Sequence, residues 1–227
     1  AHIFPDKTAE KAVASIGDYY RLPMAGLGTV RDLINSGSKI GVSKYVVNSS
    51  AVRPDLVVTI NNYIAGETRI NSNLVGFGTL HPDYSDIETE FERILGLGLK
   101  GIKLHPDFQN FNIDDDKMFK IYKIAEGKIP LLIHMGDANK DSSSPKRLRF
   151  ILDKFPDLIV IAAHFGGYRM WKESQEYLID SNVYFDTSSS LSFLSKKEAY
   201  SIINKRGVDM ILFGSDYPMW SHQKELD

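Results

Sequence analysis

The side chains able to do chemistry in this chain are imidazoles, carboxylates and a few lysines, because the sequence contains no cysteine. That absence removes disulfides, zinc–cysteine sites, iron–sulfur clusters and thiol nucleophiles together. Of six histidines, His81, His105, His134 and His164 each close a short apolar run, and His2 stands where an upstream run would close. His134 follows Leu131-Leu132-Ile133 and is followed by Met135-Gly136; His164 follows Ile161-Ala162-Ala163 and is followed by Phe165-Gly166-Gly167. Glycine at such places lets backbone approach a ligand. Neutral imidazole is a common ligand of zinc-like ions, so gathered histidines point to a metal before anything else. Asp216 comes just after Phe213-Gly214-Ser215. Alone it reads as a turn former; beside imidazoles it would complete an ion's ligands and could accept a proton.

Lys103 and His105 lie two apart on one run, so both side chains share a face. A lysine in an apolar strand is costly unless it is paired, carboxylated or bound to an anion. Asp186, closing Val183-Tyr184-Phe185, is expected to cap its loop or to orient a histidine. His81 and His105 both sit in Leu-His-Pro-Asp, where proline stiffens a turn, and His81 is read as structural. His222 is expected at the surface or on a lid.

The elements that must position these groups alternate along the chain. Apolar β-type runs occur at 44–48, 74–80, 101–105, 130–134, 158–164, 183–186 and 210–214. Most are apolar at consecutive positions, as parallel strands buried on both faces require. Amphipathic stretches of helical length lie at 86–97, 114–126, 145–155 and 196–206, the third opening on Pro145 and the last closing at Gly207. Such alternation specifies a parallel sheet with right-handed crossovers, either open and doubly wound or closed as an eight-fold barrel. No Gly-x-Gly-x-x-Gly follows an early strand, which disfavours a dinucleotide fold. No linker divides the chain, and a single domain over 1–227 is expected. In either architecture functional groups gather at the carboxyl ends of the strands, where these histidines and Asp216 fall.

Composition narrows the partners. With 27 Lys+Arg against 29 Asp+Glu, the net charge is -2, giving no electrostatic case for nucleic acid or an anionic membrane. No apolar run of membrane-spanning length is present. The serine-hydrolase elbow, the P-loop and His-Glu-x-x-His are all missing. A small-molecule substrate is expected, with no nucleic-acid or membrane partner, a homodimer as the open oligomeric option, and the cytoplasm as location.

Taken together, His2-Ile3-Phe4-Pro5-Asp6-Lys7, His134, His164 and Gly214-Ser215-Asp216-Tyr217-Pro218 resemble the amidohydrolase superfamily. The resemblance is to its branch of small TIM-barrel metal-dependent hydrolases, which also holds aminocarboxymuconate-semialdehyde decarboxylase. It implies a distorted (β/α)8 TIM barrel, with strand one and the last helix truncated in this chain. His2 resembles the second histidine of the His-x-His motif on strand one, whose first member would fall immediately before Ala1. The implied metal ligands are His2, His134, His164 and Asp216. Lys103 sits on strand four, where two-metal members carry a bridging residue, but Lys103-Leu104-His105-Pro106 looks like the hydrolase branch's own motif, and one metal is expected.

The resemblance further implies catalysis by Asp216 and His164, with Lys103 and His105 holding a substrate anion. A divalent ion would lower the pKa of water from about 15.7 towards about 7. Asp216 would take the proton and pass it to the leaving group, and His164 would steady the oxyanion or ligate a second ion. An all N/O ligand set favours Zn2+, with Mn2+ or Fe2+ as alternatives. The expected activity is hydrolysis of an amide, ester or lactone of a small molecule. Non-oxidative decarboxylation of a small carboxylic acid is the alternative, and a barrel that binds without catalysis is the reading from another class.

Overall fold

Helix α1 (Asp6–Tyr20) follows Pro5 and ends on Arg21, whose left-handed backbone (φ 54°) turns the chain back in a computed structural model that describes residues 1–227. Thr29 caps α2 (Val30–Ser38) by accepting from the Asp32 N–H. Then come β1 (Tyr45–Val47), α3 (Val57–Ile70), β2 (Leu74–Gly76) and β3 (Gly78–Thr79). The middle of the chain supplies α4 (Ile87–Gly96), β4 (Ile102–Leu104), α5 (Pro106–Gln109), α6 (Phe119–Ala125) and β5 (Leu131–Ile133). It continues as α7 (Pro145–Lys154), β6 (Val160–Ala162), α8 (Trp171–Tyr177) and β7 (Val183–Asp186). A reciprocal Ser195–Glu198 cap starts α9 (Lys196–Arg206), and β8 (Ile211–Leu212) and α10 (His222–Leu226) complete the chain.

Every strand pairing is parallel. One sheet runs β3-β4-β5-β6-β7-β8, and a second joins β1 to β2. The run at 74–80 belongs to both: it pairs with β1 up to Gly76, and Gly78 passes the ladder to β4. Residues 1–3 connect the remaining edges. Asn48 N–H donates to the Ala1 carbonyl and Ile3 N–H to the Asn48 carbonyl, both at 3.1 Å, while His2 N–H donates to the Tyr217 carbonyl at 2.6 Å. The expected TIM-barrel architecture is present in distorted form, with the strands in two sheets and residues 1–3 bonded to Asn48 on one side and to Tyr217 on the other.

The consecutive apolar positions are explained by two layers of burial. Ile102, Leu104, Leu131, Ile133, Val160 and Ala162 are buried in the large core that the helices also enter. Phe77, Leu132 and Ala163 form a separate small cluster packed by Val75 and Ile161. The register places Lys103 between Thr79 and Leu132. The stretch expected as one helix at 114–126 divides into a 3-10 turn (Asp116–Met118) and α6. Asp115 is the reason: its carboxylate accepts from the Asn112 backbone and side chain, holding a turn where a helix would start. His222 also departs from expectation. It is buried, with Nδ1 2.9 Å from Ser36 Oγ and its ring near Tyr45 and Tyr217, so it packs α10 down and is no lid. No helix is long and apolar enough to cross a membrane.

Candidate metal centre and substrate cavity

The carboxyl ends of the strands deliver the polar groups to one mouth. His105 directly follows β4, His134 directly follows β5, and His164 stands two residues beyond β6. Asp186 is the last residue of β7, Asp216 follows β8 by four residues, and His2 is bridged to Asn48 beyond β1.

Two close pairs result. His2 Nε2 lies 3.2 Å from Asp216 Oδ1. His134 Nδ1 lies 3.1 Å from His164 Nε2, with the rings inclined at 69°. Both separations are hydrogen-bond distances and are also short enough for the atoms to be neighbouring ligands of one ion.

Hydrogen bonding decides which nitrogens are free. His134 Nε2 is 3.0 Å from the Gly136 carbonyl, and His164 Nδ1 is 3.0 Å from the Ser188 carbonyl. A carbonyl only accepts, so each of those nitrogens carries the hydrogen. Ser188 Oγ, also 3.0 Å from His164 Nδ1, donates its hydrogen to Asp186 and so accepts there too, and in the neutral tautomers that these contacts select the two facing nitrogens are lone pairs. Such a contact is repulsive without a cation beside it, and it is the observation by which these residues fit a metal.

A third grouping draws His105, Asp107 and His134 within 4.8 Å of one another. Ring geometry argues against it as a ligand set. His105 is stacked on His134 at 3.9 Å and 9°, so their in-plane lone pairs run parallel and do not converge. Asp107 is engaged by the Ser142 and Ser143 hydroxyls at 2.6 and 2.8 Å, and lies 3.8 Å from His134 Nε2. It buttresses the face of His134 that points away from His164. Spacing within Leu-His-Pro-Asp was the available sign of this role, because it fixes Asp107 two residues after His105.

Electrostatics follow from burial. Removal from water lowers the basicity of His2, and lowers that of His134 and His105 well below the usual imidazole range, so all three are neutral at ordinary pH. Burial pushes the Asp216 carboxyl up, but the His2 hydrogen bond and the Lys103 charge outweigh it, and Asp216 remains an anion. Its other oxygen accepts from Ser189 Oγ at 2.8 Å. Asp186 accepts from the His164 N–H and the Ser188 N–H at 3.0 Å and from Ser188 Oγ at 2.5 Å. It thus caps its loop and fixes the Ser188 carbonyl that orients His164. His81 is structural, accepting from the Asp83 N–H in its turn.

Two cavities meet at His2 and Asp216. The larger, about 660 Å³, also exposes His105, Asp107 and His134 under a roof from α1. The smaller, about 40 Å³, holds Lys103, His164, Asp186 and Ser188. Lys103 is 3% exposed, and burial lowers its basicity. It does not line the large cavity; it faces the floor between Asp186 and Asp216. Shared facing at two-residue spacing does not carry Lys103 and His105 to one place. His105 lies beyond the strand and caps α5, accepting from the Phe108 N–H.

Over residues 1–227 the chain matches the amidohydrolase family Amidohydro_2. It belongs to that family. Among solved structures, an uncharacterised TIM-barrel protein of Bordetella bronchiseptica superposes with a TM-score of 0.76 at 16% identity, covering 99% of this chain and 87% of that one. A 2,6-dihydroxybenzoate decarboxylase complexed with 2,6-dihydroxybenzoate gives 0.71 at 18% identity, covering 99% and 89%. A dihydroxybenzoic acid decarboxylase of Polaromonas sp. JS666, with bound manganese and the inhibitor 2-nitroresorcinol, gives 0.71 at 16%, covering 99% and 86%. No curated protein sequence matches the chain. At these identities the structural likeness speaks for the TIM-barrel fold, and membership of the family supports an enzyme.

Proposed function

We propose that this amidohydrolase is a metal-dependent hydrolase that cleaves an amide, ester or lactone bond of a small molecule. The observation that carries the reading is the facing of His134 Nδ1 and His164 Nε2, with His2, His134 and Asp216 lining the large cavity and His164 joining His2 and Asp216 in the small one. His2, His134, His164 and Asp216 would hold a divalent ion, for which the N/O set favours Zn2+ over Mn2+ or Fe2+. When bound, such an ion supplies Lewis acidity and makes water a nucleophile near neutral pH.

The remaining steps belong to side chains. Asp216, kept anionic, accepts at a carboxylate oxygen the proton lost by water as its oxygen bonds to the carbonyl carbon. It then returns that proton to the leaving nitrogen or oxygen as the scissile bond breaks. His164 carries its hydrogen on Nδ1, so Nε2 offers no donor to an oxyanion, and ligation suits it better. His105 faces the substrate cavity, whereas Lys103 acts from the floor as a fixed charge near Asp216.

Decarboxylation of a small carboxylic acid is the second reading, favoured by the two decarboxylases that share the fold at full coverage. The purified full chain is to be assayed for bound metal by mass spectrometry and for turnover on two substrate panels. Hydrolysis of esters or lactones supports the first reading, and carbon dioxide release from hydroxybenzoates supports the second. Protein that binds no divalent ion and turns over neither panel would refute both.

A further inference from the structure

Tyr20 closes α1 directly above the site, and its hydroxyl has one bonded partner, His105 Nε2 at 3.3 Å. The direction of that bond is fixed from the other side of the ring. His105 Nδ1 accepts from the Phe108 N–H at 3.4 Å, so the imidazole carries its hydrogen on Nε2. Nε2–H donates to Tyr20 Oη, which leaves the tyrosine's own hydrogen unused by the protein. The ring is held by edge contacts with Tyr19 (4.8 Å, 80°) and Tyr168 (5.9 Å, 81°), and it lines the 660 Å³ cavity with His134 and Asp216. A phenol oriented in this way is a donor waiting for an acceptor.

The charge of the cavity limits what that acceptor belongs to. No lysine or arginine lines it, while Asp107 and Asp216 do. An anionic group remote from the ligand cluster would meet carboxylates without a counter-charge. Phe108, 5.9 Å from the Tyr20 ring, belongs to the cavity's apolar lining, as do Phe4, Ile60 and Met219.

We propose that Tyr20, oriented by His105, is the specificity residue of this site: it donates to an acceptor oxygen of a ligand that bears no more than one acidic group. The proposal rests on the large cavity being the substrate site, as in the function proposed above. The competing role for Tyr20 is packing of α1 onto the barrel.

The test is calorimetric titration of the full chain, loaded with Mn2+ or Zn2+, with benzoate, 2-hydroxybenzoate and phthalate. Wild type is expected to bind 2-hydroxybenzoate about five- to tenfold more tightly than benzoate, the span of one neutral hydrogen bond. Phthalate is expected to bind at least about tenfold more weakly than benzoate, because its second carboxylate is unpaired. Tyr20→Phe, which keeps the ring contacts, should bring the 2-hydroxybenzoate preference to about one while benzoate affinity stays within about twofold. A packing role would move all ligands together or none. An unchanged preference in Tyr20→Phe, phthalate binding as tight as benzoate, or no saturable binding of any probe overturns the proposal. Binding is read without turnover, so a protein that sorts the probes as stated yet proves inactive refutes the catalytic reading alone. An active enzyme indifferent to Tyr20→Phe refutes the specificity role alone.

Discussion

His134 Nδ1 faces His164 Nε2 at 3.1 Å, and in the neutral tautomers that the surrounding acceptors select, neither nitrogen carries a hydrogen. The Gly136 and Ser188 carbonyls have claimed the protons on the far side of each ring. Backbone geometry at two loops thus prepares a cation site between residues thirty positions apart.

Metal should therefore stabilise the fold. At free Zn2+ about a hundred times its dissociation constant, unfolding free energy is expected to rise by about 2.7 kcal/mol. A chelator should reverse the gain, and His134→Ala should abolish it. Thermal unfolding with and without metal reads this directly; equal melting temperatures would count against the centre.

Replacement of Asp216 by asparagine removes the proton acceptor while keeping the side-chain shape. Turnover is expected to drop by about 10²–10⁴ with the far-ultraviolet dichroism unchanged. A variant within a few-fold of wild type would exclude the proton-transfer role.

Asp186 acts at one remove, through Ser188, on the orientation of His164. Asp186→Asn is expected to weaken metal affinity by about 10–100-fold, as loss of a ligand-orienting partner does elsewhere. Competition with a chromophoric chelator measures it, and unaltered affinity would limit Asp186 to capping its loop.

Glu225 gives a pH signature in the unfolding equilibrium. It is 2% exposed in α10, neither carboxylate oxygen has a partner, and burial followed by Asp216 and Asp186 pushes it up to about 8. The folded value lies above the unfolded one of about 4.3, so its stabilisation is complete below that pH and is lost as pH rises through about 8. Glu225→Gln should gain about 2–4 kcal/mol over wild type at pH 9 and little at pH 5. Urea midpoints at the two pH values decide; a gain independent of pH would contradict the assignment.

Gly136 has φ 79°, and a Cβ there would meet the Tyr168 backbone N and O at 2.5 Å. Gly136→Ala should cost at least about 2 kcal/mol and loosen His134, whose Nε2–H the Gly136 carbonyl receives. Denaturant unfolding and metal affinity should fall together, and a neutral substitution would show that the loop yields without disturbing His134.

The apolar runs and their alternation with amphipathic stretches determined the architecture, because strands buried on both faces leave consecutive apolar residues at 131–133 and 160–162. Their ends marked His105, His134, His164 and Asp216, since polar groups in such a sheet have only that edge to occupy. Tertiary structure decided what each of these does. Whether His134 offers Nδ1 or Nε2 depends on a carbonyl that only the folded loop brings near. Lys103 and His105 share a strand face, yet the end of β4 lies between them, so one faces the floor and the other the cavity. Tyr20 belongs to no motif in the sequence, and only α1 folding over the barrel sets it against His105. Side-chain type is written locally, whereas proton positions and facing are fixed by neighbours distant in sequence.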